Sequence, residues 1–488
     1  MKSSTRTKTF KPDKTMKRTF ITAFTAMMLC IPVVAETVTE SEAPAAEKKA
    51  KKEVKYNENG DIIKTGINFG PLPVVAFDAD RGFQYGALLN LYNFDDGSTY
   101  PNPKSQWYFE ASAYTKGSYK LIVNYDNKTL IPGVRMSFST GYYGDKALDF
   151  YGFNGYQSIF INSKDMFEDG QAVYLDNEAG KKLQDKGKYP AGFYRHSRQQ
   201  LKAKAQFTGE ILKNFYWEAA YNFMWTKTGS FHPDGYAVES DYVAGGTTLY
   251  DLYRTWGIIS DSEAKGGISS AIRAGLMYDT RNVENNPTKG IWAEAHISAA
   301  PKFLGTTHPH YKFSATMRQY LPLAGDKLVF AYRAAYEGYM GDAPWYMLPF
   351  YDSMEPKADF DGFGGYRTVR GLMLNRVQGL HTGFYNAELR WRFIDFKLAN
   401  QNIAFALSGF TDGAHVFKGY DLTNKTGAQP ELYKKFVNLS KKDGFHGSAG
   451  AGLRFIMNQN FIVAFEYARC FNKQDGNGAF YINTGFLF

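Results

Sequence analysis

From residue 72 onward apolar and polar residues alternate with a period of two, the mark of strands with two unlike faces. In "SQWYFEASAYTK" (105–116) one face carries Trp107, Phe109, Ala111 and Ala113, and the other Tyr108, Glu110, Ser112 and Tyr114. "LKAKAQF" (201–207) sets Leu201, Ala203, Ala205 and Phe207 against Lys202, Lys204 and Gln206. "FYNAELRWRF" (384–393) sets Tyr385, Ala387, Leu389, Trp391 and Phe393 against Asn386, Glu388, Arg390 and Arg392. About sixteen such segments are predicted, from a short first strand at 72–78 to a last one at 478–488. Most reach the ~9–11 residues that a tilted membrane strand needs.

The connections supply the second pattern. Long ones are expected at 144–197, 229–264, 340–379 and 418–444, all of the same parity. Those between them are mostly short: "LIPG", "ILKN", "LAGD", "NQN". Long loops at one end and tight turns at the other are the habit of transmembrane barrels, and a soluble sandwich has no reason to keep it. The segment 95–104 is the exception, too long for a turn at its end. The predicted fold is therefore all-β, a transmembrane antiparallel barrel over 61–488. Only a closed barrel satisfies the backbone groups of a sheet in lipid. The third outer loop, about 144–197, rich in Tyr, Asp, Gly and Lys, is expected to act as a lid.

Composition agrees: 17% aromatic and only 22% charged suits pleated, half-buried surfaces. Residues 1–35 read as an export signal, with Lys17 and Arg18 before the apolar run Phe20–Ala35. Met1 and Met16 are both open as the start. The next stretch, 36–60, charged and Ala-rich in its first part, reads as a periplasmic linker. Residues 1–35 hold seven Lys/Arg and one Asp, so their removal leaves +3 of the formal +9. Charge therefore offers no support for nucleic-acid binding. Cys30 leaves with the signal and Cys470 has no second cysteine, which excludes a disulfide framework within one mature chain.

Two stretches go beyond patterning. "GGYRTVRG" (Gly364–Gly371, with Gly364, Gly365, Val369, Arg370 and Gly371) precedes a strand containing "AELR" (Ala387–Arg390). "YDTRNVENNPTKG" (278–290) carries Asp279, Arg281, Pro287 and Gly290. Together they resemble the outer-membrane assembly superfamily of BamA, TamA and the two-partner secretion pores, also called the bacterial surface antigen family. The resemblance extends over roughly 265–488. It implies a sixth outer loop folded into the lumen, its arginine bonded to an acidic residue of the wall. It also implies a weakly joined first and last strand, and a terminal aromatic signal in Phe480, Phe486 and Phe488. The chain departs from the family in having Leu372 where an aromatic follows "VRG", and Ala414 after Asp412-Gly413 in the wall motif. The interval after the signal leaves no room for POTRA domains, which implies a barrel-only member.

Physical chemistry narrows the wall partners. A guanidinium at membrane depth needs a carboxylate. Parity puts Glu388 on the polar face of its strand, with Arg390. If Ile403, Phe405 and Leu407 face lipid, then Phe410 and Asp412 face inward. Glu388, Arg390, Phe410 and Asp412 are thus the expected docking wall.

The function implied by the resemblance is help with insertion, assembly or export of outer-membrane components. The alternative is a passive channel or porin gated by the sixth loop. The expected partners are outer-membrane lipid and either the barrel assembly machinery or a periplasmic or surface lipoprotein, with no nucleic acid. The location implied is the outer membrane of a Gram-negative bacterium, both termini periplasmic. An enzyme is not expected: His296 and Ser298 sit two apart as in barrel phospholipases, but on the face of Trp292 and Glu294, away from lipid. No cofactor is called for, and eight scattered histidines suggest no metal site.

Overall fold

The alternating segments form sixteen strands in a computed structural model. It describes residues 63–488 except 79–80, 101, 162–190, 232–247, 285, 356–361, 399–400 and 458–460. The expected signal and linker fall outside the described residues. The strands are β1 (Ile67–Asp78), β2 (Gly82–Asn93), β3 (Ser105–Tyr114), β4 (Tyr119–Ile131), β5 (Val134–Asp149), β6 (Arg195–Leu212), β7 (Phe215–Ser230) and β8 (Gly266–Asp279). They continue with β9 (Gly290–Ala300), β10 (His310–Ala324), β11 (Leu328–Gly341), β12 (His381–Leu398), β13 (Gln401–Lys418), β14 (His446–Met457), β15 (Phe461–Cys470) and β16 (Ala479–Thr484). Each pairs antiparallel with the next, and β16 returns to β1, closing the barrel.

Burial is inverted relative to a water-soluble protein. On β12, Leu389 and Trp391 are 43% and 51% exposed, while Glu388 and Arg390 between them are 0% and 5% exposed. Apolar side chains outward and paired polar ones inward is the arrangement a barrel adopts when lipid surrounds it. No helix among the described residues is long and apolar enough to cross a membrane.

The connections sort by end as parity requires. The connections after β5, β7, β11 and β13 leave from one end, and tight turns such as 132–133 and 213–214 lie at the other. The irregular connection 94–104 is a folded turn held partly by Lys104 to Asp95 at 2.7 Å. At the long-loop end Phe150, Phe153, Tyr250, Tyr253, Trp256 and Trp345 share one buried apolar cluster. Rings of this size bury 150–250 Å² each, enough to fasten loops to one another. A short helix, α1 (Leu249–Thr255), contributes Leu249, Tyr250, Leu252 and Tyr253 to that cluster. It starts where Thr248 and Asp251 cap each other's backbone N–H groups.

Two expectations need correction. The first strand is not short: it begins at Ile67 and follows β2 for its whole twelve residues. Pro71 and Pro73 lie inside it, tolerated because an edge strand can turn a proline nitrogen away from its ladder. The last strand is shorter than expected, ending at Thr484. Gly485 takes φ 85°, a left-handed value that glycine adopts freely, and the chain leaves the sheet there. Phe480 faces outward, 42% exposed, but Phe488 is 6% exposed and packs inside against Tyr320, Val329 and Ala331. The three aromatics of the expected terminal signal therefore do not share a face.

Candidate functional site

The connection between β11 and β12, hereafter loop six, runs along the inner wall as two limbs. The first limb leaves the apolar cluster of the long-loop end, hereafter the cap, at Phe350. Lys312 on β10 donates to the Phe350 carbonyl (2.5 Å) and pairs with Asp352 (3.2 Å) and Glu337 (2.9 Å). The Met354 N–H donates to Glu294 on β9 (3.0 Å), and Gln206 on β6 donates to the Met354 carbonyl (2.7 Å). Arg318 pairs with Glu355, whose carbonyl accepts from Lys204 (3.1 Å). His296 and Ser298, two apart on β9, are buried on this inner face beside Glu294.

The returning limb carries the arginine. Gly364 and Gly365 take φ 109° and 76°, and the Gly365 N–H donates to the Leu372 carbonyl (2.9 Å), so the chain closes a tight hairpin around Val369. At its tip Arg370 is fully buried. Its Nε and Nη2 donate to the two oxygens of Asp412 at 2.8 and 3.0 Å, the fork-to-fork geometry that a guanidinium and a carboxylate share. Its Nη1 reaches Glu466 on β15 at 2.8 Å and Glu388 at 3.4 Å. The Phe410 ring lies 3.4 Å from the guanidinium carbon.

The tip's backbone is held as closely as its side chain. The Arg370 N–H donates to Asp412 (3.0 Å), and Ser448 on β14 donates to the Arg370 carbonyl. The Gly371 N–H donates to the Tyr481 hydroxyl on β16 (3.0 Å), and the Cys470 thiol donates to the Gly371 carbonyl (2.8 Å). Gly371 has φ 91°, and a Cβ there would lie 2.9 Å from that of Ala468, so glycine is required on two counts. Leu372 and Val369 pack with Phe363, Val377, Phe384 and Val416. A leucine thus fills the place where the family pattern has an aromatic.

Three carboxylates and three guanidiniums meet around this tip. Arg454 donates to Glu466 (2.6 Å) and forms an ion pair with Glu388 (2.7 Å), and Arg390 lies 3.5 Å from Glu388. The formal charges of Arg370, Arg390 and Arg454 balance those of Asp412, Glu388 and Glu466. Burial of ions is tolerable only in such a paired, hydrogen-bonded set.

Of the expected wall, Asp412, Glu388 and Phe410 surround Arg370. Arg390 does something different: it donates to the Phe488 main-chain oxygen at 3.0 Å. Arg333 likewise donates to the Leu487 carbonyl (3.4 Å), the Arg367 carbonyl (3.0 Å) and the Asn386 side chain (2.8 Å). Glu466, Arg454, Ser448 and Tyr481 went unrecognised in the sequence. One signal existed: Glu466 shares a face with Ile462, Ala464 and Ala468, a lone acid with no solvent to meet. Arg376, in the same loop, donates to the carbonyls of Gln474 (2.8 Å), Gly155 (2.9 Å) and Ser158 (3.1 Å), tying loop six to the cap.

The second motif builds the turn between β8 and β9. Arg281 binds both oxygens of Asp279 (3.0 and 2.8 Å), lies 3.8 Å from the Trp292 ring centre and donates to the Glu284 carbonyl (3.1 Å). The Glu284 carboxylate then reaches Lys128 on β4 (2.5 Å) and Arg135 on β5 (3.3 Å). Pro287 is buried in this turn. Gly290 has φ 108° with the Thr280 carbonyl 2.3 Å from where a Cβ would sit. The residues of this motif are thus far from Arg370 in role, fastening a turn across the strands β4 to β9. No cluster of His, Cys, Asp and Glu among the described residues fits a metal ion.

The Omp85 superfamily domain matches residues 155–488. Among solved structures, BamA from Haemophilus ducreyi lacking POTRA domains 1–3 is 14% identical, with 88% of this chain and 73% of that one covered, at a TM-score of 0.49. CdiB from Escherichia coli is 10% identical over 86% of this chain and 63% of that one, also at 0.49. CdiB from Acinetobacter baumannii is 13% identical over 87% and 61%, at 0.40. The assignment rests on the domain, which spans more than half of the sequence: the chain belongs to the Omp85 superfamily.

Proposed function

We propose that this outer-membrane barrel assists the insertion, assembly or export of outer-membrane components, and that its seam rather than its lumen is the route. The short-turn end then faces the periplasm, the cap faces outward, and outer-membrane lipid with the assembly machinery or a lipoprotein supplies the partners. The observation that carries this reading is the junction of β1 with β16. Among the described residues it consists of two residue pairs, Phe77 with Ile482 and Asp78 with Tyr481, where β1 matches β2 along its entire length. Unpaired strand edges are costly in lipid, so a junction this sparse is the place where the wall opens most readily. The lumen, by contrast, holds both limbs of loop six beneath the cap, which disfavours free passage through it.

A disulfide across the seam tests the proposal. Cysteines replacing Phe77 and Ile482 should lock it under oxidation. In cells lacking the native copy, the locked form should fail to restore the outer-membrane protein profile, and reductant should restore it. Full activity of the locked form would favour the passive channel.

A further inference from the structure

The direction of the backbone groups on β1 can be read from two bonds. Phe94 donates to the Gly66 carbonyl (2.9 Å), which sets the even-numbered residues of this edge facing β2. At the other end, Phe83 is opposite Phe77 but gives its carbonyl to Thr115 on the far side (2.9 Å). Odd-numbered residues of β1 therefore point their N–H and C=O groups toward the seam. Pro71 and Pro73 are both odd. The two missing N–H groups of this strand lie on the edge that β16 would have to bond.

Extending the seam register shows which residues they would meet. From Phe77 with Ile482, the ladder continues through Val75 with Thr484 to Pro73 with Phe486 and Pro71 with Phe488. At both proline positions one hydrogen bond of the pair cannot form, and the carbonyls of Phe486 and Phe488 would remain unbonded in lipid. Inside the barrel the tail finds donors instead. Gly485 turns at φ 85° while its N–H donates to the Ile462 carbonyl (2.9 Å). Arg390 donates to the Phe488 oxygen (3.0 Å) and Arg333 to the Leu487 carbonyl (3.4 Å). The Phe488 ring stands 4.9 Å from the Arg390 guanidinium carbon and 5.1 Å from that of Arg333.

We infer that Pro71 and Pro73 keep the seam unpaired on the Ile67 side of Phe77 by denying residues 485–488 a ladder on β1, and so send the tail into the lumen. The prolines are a device against self-closure, the sheet-edge protection used by soluble proteins here applied within one barrel. This rests on the backbone pattern and is independent of what the barrel assembles or exports.

The test is a cross-link that reports the tail's position in the full-length chain in membranes. Residues 72 and 487 would be opposite each other in the extended register, and Leu487 now packs with Tyr320 and Val329. In a Leu72→Cys, Leu487→Cys protein, oxidation should give only the background seen in each single-cysteine control. Adding Pro71→Val and Pro73→Val should raise the cross-linked fraction several-fold, in protein shown to be folded by its heat-modifiable mobility. Adding Arg333→Gln and Arg390→Gln instead should leave it low, since freeing the tail restores no ladder. Pro73→Val alone serves if the double proline variant does not fold. A cross-link that stays at background without the prolines, or that rises when only the arginines are changed, overturns the inference.

Discussion

Replacing Arg370 by alanine is the sharpest test of the docked loop. The substitution removes the bidentate partner of Asp412 and one partner each of Glu466 and Glu388, all fully or almost fully buried. Glu466 and Glu388 keep Arg454, and Glu388 keeps Arg390 in reach. Asp412 keeps the backbone N–H of residue 370 and loses its cation. Removing one partner from a buried pair costs about 3–5 kcal/mol, against about 0–1 kcal/mol for an exposed one. Arg370→Ala should therefore lower the temperature at which the folded barrel loses its fast gel mobility, and raise conductance in planar bilayers as the loop loosens. Arg370→Lys should recover part of the loss, since an ammonium cannot span both Asp412 oxygens. Asp412→Asn added to Arg370→Ala should be less damaging than the two singles predict, because the orphaned charge is gone. Arg367, whose guanidinium carbon stands 5.5 Å from the Tyr366 ring centre, is the control. Equal behaviour of Arg367→Ala and Arg370→Ala, with conductance unchanged in both, would refute the docking argument.

Two further outcomes are expected. Burial opposes ionisation of Glu284, but Arg135 and Lys128 beside it prevail and hold its pKa at about 2, below the ordinary 4.5. Its contribution to stability is thus present above pH 4.5 and is lost as pH falls toward 2. Glu284→Gln should destabilise the barrel at neutral pH, with the difference from wild type shrinking through that window in thermal melts. For sidedness, an epitope inserted at the exposed Thr426 should be reached by antibody on intact cells, and one at Asp326 only after permeabilisation. The reverse result would invert the proposed orientation.

The barrel was legible because its strands obey a two-residue period over long stretches, and Leu389, Trp391 and Glu388 alone reveal which face meets lipid. Arg370 and Asp412 were legible because a glycine-rich loop with one arginine and a strand with an inward acid each carry local signals. The other half of the charge cluster was not. Glu466 and Arg454 come to Arg370 through the relative shift of β13, β14 and β15, and no single strand encodes that shift. The start of β1 at Ile67 rather than at residue 72 was not legible either, since the cost of Pro71 in a strand depends on which neighbour its nitrogen faces. Gly485 hid the end of β16: in sequence the alternation runs on to Phe488, and only the turn shows it broken.

Loop six also determines where the wall can yield. Its bonds run from Gln206 on β6, through β9 to β13, to Ser448, Cys470 and Tyr481 on β14 to β16. That arc behaves as a hoop with an internal strut, and bending it means stretching several buried bonds at once. Among the described residues β1 has its ladder with β2 and two pairs at the seam. A force that parted the seam would therefore meet a stiff jamb at β16 and a compliant lip at β1, like a door hung on one side.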